Sequence, residues 1–172
     1  MSRRILFVSG SRALNRPSAR PWAYGILRAA FDWWSPALLV HGGCKGCPDE
    51  WSDDIAKDEK VVVRAFLKDG EIEPTGEMPW TPVGFGGTRW TSAEHLAAHP
   101  FWRRPLIRNQ AVVDALSIEV EMGAEVLCVG LGASWSEKHG TEHTVGLARA
   151  SKKMRVEYRV CPAEFGPQGA SQ

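Results

Sequence analysis

Short apolar runs that alternate with stretches of helical periodicity constrain this chain more than any other feature. Residues 4–9 (Arg-Ile-Leu-Phe-Val-Ser) read as a buried strand closed by Gly10. Residues 18–34 then read as a helix, with Trp22, Ile26, Ala29, Ala30 and Trp33 recurring at three- and four-residue spacing. Pro21 suits the first turn of that helix and Pro36 ends it. Strand-like runs return at 37–41, 60–66, 124–130 and 154–160, and helices are read over 49–58, about 105–122 and about 140–151, the second capped by Gly123. The alternation predicts an α/β fold: a doubly wound, mostly parallel sheet of five strands or slightly more, with helices on both faces.

The pattern breaks between Leu67 and Trp102, which is rich in proline and glycine, carries Trp80, Trp90 and Trp102, and offers one short helical segment at 92–98. So long a stretch with little regular pattern is unusual inside a compact domain. It is read as an insertion folded over the surface, or a lid, within one domain spanning 1–161. The remainder, 162–172, is read as a flexible tail.

With 44% hydrophobic and 24% charged residues and a net charge of +1, the 172-residue chain is too apolar and too neutral for a disordered protein. It also lacks the basic excess of a dedicated nucleic-acid binder. No run reaches the ~18 apolar residues of a membrane span, and Ile5–Val8 is too short for a signal-peptide core, so a cytoplasmic protein without membrane contact is expected. In a reducing compartment Cys44, Cys47, Cys128 and Cys161 are expected to stay unbridged.

In open parallel sheets ligands bind beyond the carboxyl ends of the strands. There the sequence places Gly10-Ser11-Arg12 after the first strand, His41-Gly42-Gly43 after the second, and Gly130, Gly132 and then Gly140-Thr141 after the fourth. Glycine admits close backbone approach, a helix N-terminus adds partial positive charge, and Arg12 and Arg108 supply planar forks for phosphate oxygens. These are the features of a site for a phosphate-bearing ligand. No complete G-x-G-x-x-G follows the first strand, and no P-loop motif occurs, which disfavours dinucleotide redox chemistry and P-loop hydrolysis.

Gly10-Ser11-Arg12, the run His41-Gly42-Gly43-Cys44-Lys45-Gly46-Cys47-Pro48-Asp49, small residues at Ser52 and Ala56, Ile107-Arg108-Asn109-Gln110, and Gly140-Thr141 followed by Ala148 form an ordered set across nearly the whole chain. That set resembles the SLOG superfamily, the Rossmann-like fold shared by LOG-type phosphoribohydrolases and the DNA-processing protein DprA, and most of all its YspA-like branch. The resemblance implies a nucleotide or nucleotide-derived ligand. Gly140 and Thr141 would hold its phosphate with Arg108 and Asn109 close by, Gly10, Ser11, Arg12, Gly42 and Gly43 would line the site, and Asp49 would stand at the mouth. It also implies, by analogy of fold, a homodimer. LOG-type hydrolases carry glutamates where this chain has His143 and Thr144, and Arg-Lys where it has Arg108-Asn109. N-glycosidic cleavage needs a carboxylate, for which Asp49 and Glu142 are the candidates. Binding without catalysis, as a sensor or sequestering protein, is therefore the first expectation. N-glycosidase activity is the second.

Other signals carry less. Cys44-x-x-Cys47, His95-x-x-x-His99 and His139-x-x-x-His143 invite metal or redox readings, but the second ligand pair of a structural zinc site does not follow at a usual spacing. Neither a metal nor a cofactor is expected. Trp102, Arg103, Arg104 and Arg108 combine an aromatic ring with cations, as single-strand nucleic-acid sites do. The near-neutral charge makes that accessory role the third expectation.

Overall fold

The computed structural model describes residues 3–136 and 140–167. Its elements are β1 (Arg3–Gly10), α1 (Arg20–Trp34), β2 (Leu38–His41), α2 (Pro48–Asp58), β3 (Val62–Phe66), β4 (Ile72–Thr75), α3 (Ala93–Ala97), α4 (Arg104–Glu121), β5 (Ala124–Ala133), α5 (Gly140–Ser151) and β6 (Arg155–Cys161). The six strands form one sheet in the order β4-β3-β2-β1-β5-β6. Every neighbouring pair is parallel except β3 and β4. The fold is a mixed α/β, Rossmann-like one, as the alternation predicts.

β1 and β5 are adjacent interior strands, and residues 5–8 and 126–133 are buried on both faces. A strand covered on both sides can carry apolar residues continuously, which is why these runs do not alternate. One face of the sheet packs on α1 and α2 through Leu6, Val8, Leu39, Leu127 and Val129. The other packs on α4 and α5 through Ile5, Phe7, Val40, Val126 and Cys128.

Three elements differ from expectation in instructive ways. In α1 the buried stripe is Ala23, Leu27, Ala30, Phe31 and Trp34, one position round from the expected one. The helix carries two adjacent apolar stripes, and the one that includes Ala23 and Ala30 allows a closer approach to the sheet. Trp33 is left 44% exposed. β5 runs three residues past Gly130, because Gly130 and Gly132 are strand residues and not a loop. A Cβ on Gly130 would stand 2.3 Å from Val145, and one on Gly132 2.4 Å from the Tyr158 hydroxyl. The tail begins with a 3-10 turn at Ala163–Phe165, where Phe165 packs on the core and its carbonyl accepts from the Ser18 hydroxyl at 2.7 Å.

The segment after β3 is not slack. It adds β4, an antiparallel edge strand that tolerates Pro74 because an edge position needs no donor on its outer side. The Trp90 indole donates to the Leu67 carbonyl at 2.7 Å, and Phe85 is buried in the second core. A fully buried carboxylate anchors the stretch between. Glu119 of α4 accepts from the backbone N–H groups of Val83 (2.6 Å) and Gly84 (2.9 Å) and from the Trp80 indole (3.3 Å). Gly84 lies so close to α4 that a Cβ there would stand 2.2 Å from the Ala115 carbonyl oxygen. The segment thus replaces a covering helix over this part of the sheet.

Removing that carboxylate leaves three donors unpaired. Glu119→Ala is expected to cost about 3 kcal/mol, read as a lower urea midpoint, with faster amide exchange concentrated at residues 80–85. Glu119→Gln keeps one acceptor oxygen and is expected to lose less.

Candidate functional site

The chain leaves β1 towards α1 on one face of the sheet and leaves β5 towards α5 on the other. Two adjacent strands whose connections diverge open a crevice at their carboxyl ends. A cavity of about 620 Å3 occupies that crevice, a volume suited to a small molecule. Ser9, Gly10 and Ser11 line it from the end of β1, and Gly140, Thr141 and Glu142 from the start of α5. Arg12, Cys44 and Asp49 also line it, with Arg108 and Asn109 of α4. Gly42 and Gly43 line a second cavity of about 480 Å3 with His41 and Asp53. Arg12, Cys44 and Arg108 border both cavities, so the predicted residues form one edge divided in two.

Local structure explains each position. Gly10 is glycine because Pro48, the first residue of α2, packs on it, and a Cβ there would be 2.2 Å from the proline Cγ. The Ser11 hydroxyl accepts from the Ala13 N–H at 3.2 Å and caps a short 3-10 turn. That turn presents Arg12, whose Nε donates to Cys44 Sγ at 3.1 Å. The contact with Cys44 raises the Arg12 pKa. His41 is buried, bonded through Nε2 to Asp53 at 2.7 Å and accepting through Nδ1 from the Gly43 N–H at 2.9 Å.

Asp49 does not stand at the mouth. It is 4% exposed, drawn beneath the loop by the donors it satisfies: its Oδ2 accepts from the N–H groups of Gly42 (3.1 Å) and Cys44 (3.3 Å). Its Oδ1 is buried without a hydrogen-bond partner. The position in the first turn of α2 also favours a negative charge. Arg108 donates through Nη1 to the Gly42 carbonyl, and through Nε (3.2 Å) and Nη2 (2.9 Å) to Asn109 Oδ1. Burial lowers its pKa, opposed by the charge of Asp49 and the sulfurs of Cys44 and Cys47. The guanidinium stays cationic at neutral pH and keeps two N–H groups beyond those three bonds. Asn109 is a spacer: it receives Arg108 on one side and donates through Nδ2 to the Gly140 carbonyl at 3.3 Å on the other.

Thr141 is buried in the first turn of α5, whereas Gly140 has open space where a Cβ would project. The first residues of this twelve-residue helix line the cavity, where a helix N-terminus favours negative charge. Glu142 Oε1 accepts from the Tyr158 hydroxyl at 2.6 Å. Burial, and then that carboxylate, push the phenol up to about 12.

Several residues fall elsewhere. His143 is half-buried on α5 and is not part of the cavity lining, while His139 lies outside the described residues. His95 and His99 stack edge to face at 4.9 Å, and no group of three or more metal-ligating side chains occurs among the described residues. Trp135, in the loop before α5, packs on the core and against Gly166. The tryptophan that reaches the cavity is Trp102, 68% exposed, with the Arg103 guanidinium 5.7 Å from its ring. Its sequence signal, an aromatic beside three arginines, pointed to nucleic acid and not to this rim. No helix among the described residues is long and apolar enough to cross a membrane. Comparisons with protein-family models, curated proteins and solved structures find no match to the chain.

A Cβ on Gly42 would stand 2.5 Å from the Arg108 guanidinium carbon. Gly42→Ala is therefore expected to displace the end of Arg108 and not the backbone, with a loss of about 1 kcal/mol. A shifted guanidinium in the variant's structure and a small change in urea midpoint would check this.

Proposed function

We propose that the protein binds a nucleotide or nucleotide-derived small molecule at the carboxyl edge of the sheet, as a sensor or sequestering protein. The observation that carries this reading is the 620 Å3 cavity beyond the carboxyl end of β1, lined both by the first residues of α5 and by Arg108, whose guanidinium is held by Gly42 and Asn109. A phosphate between them would be met by backbone N–H groups, a helix dipole and a charged fork together. At Gly140 no described atom lies within 4 Å of the place of a Cβ, which suits close approach of a ligand to the backbone. Membership of the SLOG superfamily is part of the same proposal, as is a homodimer, which equilibrium sedimentation tests directly.

N-glycosidic cleavage is a second reading, favoured by one observation: both candidate carboxylates, Asp49 and Glu142, line that cavity. Each is engaged, Asp49 by two backbone N–H groups and Glu142 by Tyr158. Binding is preferred because Asp49 is buried beneath the loop with one oxygen committed to it, and Glu142 is committed to Tyr158.

A panel of nucleotides, nucleosides and free bases, followed by thermal shift and by chromatography for released base, separates the readings. Stabilisation by a phosphorylated member without base release is the expected result. Base release abolished by Asp49→Ala or Glu142→Ala would establish the hydrolase instead. A panel that shifts nothing removes the ligand site. Arg108→Ala is expected to weaken the phosphorylated ligand about 10- to 100-fold and its nucleoside little; equal losses for both would assign Arg108 to loop support alone.

A further inference from the structure

The Cys44-x-x-Cys47 pair plays no part in holding a phosphate, and its two thiols occupy opposite environments. Cys44 is half-buried and borders both cavities. Cys47 is fully buried at the N-cap of the eleven-residue α2, and its thiol is turned back to donate to the Cys44 carbonyl at 3.2 Å. We propose that Cys44 and Cys47 form a thiol–disulfide exchange site, with Cys44 as the attacking sulfur, Cys47 as the resolving sulfur and a low-molecular-weight anionic disulfide as substrate.

Four observations converge. Arg12 Nε donates to Cys44 Sγ at 3.1 Å, a contact that stabilises a thiolate and draws an anionic substrate. The sulfur lies just before the N-terminus of α2, which favours negative charge. The groups that face it are Arg12 from the β1–α1 turn, Cys47 and Asp49 from the start of α2, and Arg108 from α4. The hydrogen bond from Cys47 is the strongest influence and Arg12 adds to it; against burial and Asp49 they bring the Cys44 thiol down to about 6. Cys47 moves the other way, held protonated by its bond to Cys44, by burial and by Asp49. Cys128 supplies the contrast of a packing cysteine: fully buried, away from both cavities, its thiol pushed up to about 12 by burial.

The chemistry balances as two exchanges. The Cys44 thiolate attacks one sulfur of the substrate RSSR; a Cys44–SR bond forms, the substrate S–S bond breaks, and RS⁻ leaves and takes a proton from water. Neutralising Cys44 removes the thiolate charge that helps to keep Cys47 protonated, so the Cys47 proton is lost more readily than before. Cys47 then releases its proton to solvent and attacks Cys44 Sγ, forming the Cys44–Cys47 disulfide and expelling the second RS⁻. The protein dithiol loses two electrons and two protons, and RSSR becomes two RSH. Gly46, at φ +63°, supplies the tight turn within the ring that closes.

The full-length reduced protein, alkylated with iodoacetamide across pH and analysed by peptide mass spectrometry, tests the first sulfur. Cys44 is expected to react with a midpoint near pH 6, and Arg12→Gln, at an exposed residue, to move that midpoint upward. Oxidised glutathione tests the pair. Wild type is expected to end as the Cys44–Cys47 disulfide. Cys47→Ser and Cys47→Ala are expected to stop at a glutathione adduct on Cys44, with thermal melting checking that each is folded. Cys44→Ser is expected to form neither product. A Cys44 midpoint in the range of an ordinary thiol, no adduct on Cys44 in a folded Cys47 variant, or a wild type that stops at the adduct would each overturn the proposal. Nucleotide binding does not enter any of these measurements.

Discussion

Asp49 ties the start of α2 to the loop that leaves β2, and the carboxyl edge of the sheet depends on it. Its Oδ2 takes the N–H groups of Gly42 and Cys44, which would otherwise be orphaned at a strand end. Around this point the loop has little freedom. Glu50, next on α2, accepts from the Gly46 N–H at 2.7 Å, and His41 holds Gly43 from below. With the loop fixed, the Gly42 carbonyl is presented to Arg108, Arg108 is oriented by Asn109, and Asn109 reaches the first residue of α5. A chain of hydrogen bonds therefore links α2, α4 and α5 across the crevice. A satisfied polar network of this kind holds geometry more firmly than its separate bonds would.

The cost of that arrangement is that several residues of ligand-binding character are already employed. Arg108 spends three N–H groups on the protein, Asn109 spends both ends of its amide, and Asp49 spends one oxygen. Backbone also lines the cavity at the start of α5, where no described atom lies within 4 Å of the place of a Cβ on Gly140. The carboxyl edge is thus a hydrogen-bonded frame beside the start of α5, and for the proposed ligand such preorganisation would spare ordering costs.

Much of this was legible beforehand. The runs at 4–9, 37–41 and 124–130 gave β1, β2 and most of β5, because strands buried on both faces leave an unambiguous apolar signature. The glycines were harder. Gly10, Gly42, Gly130 and Gly132 look alike in a sequence, yet the first yields to Pro48, the second to a guanidinium, and the last two to Val145 and Tyr158. At Gly140, by contrast, no described atom lies within 4 Å of the place of a Cβ. The periodicity of α1 points one position away from its buried stripe because two apolar stripes lie side by side on it. The stretch after β3 appeared shapeless because its order comes from residues far away, chiefly Glu119 on α4.

The sequence by itself determined the architecture: alternating strands and helices, the parallel order they imply, and the gathering of Gly10, Arg12, Gly42, Asp49 and Gly140 at one edge, since every βα turn of such a sheet falls there. These follow from local periodicity and from the connectivity of the chain. The tertiary structure decided which of those residues face open space and which face one another. It turned Asp49 inward, set Arg12 on Cys44, brought Trp102 to the rim and divided the edge into two cavities. The physical reason is that burial and pairing depend on partners dozens of residues away, and no local pattern records which distant donor a carboxylate will meet.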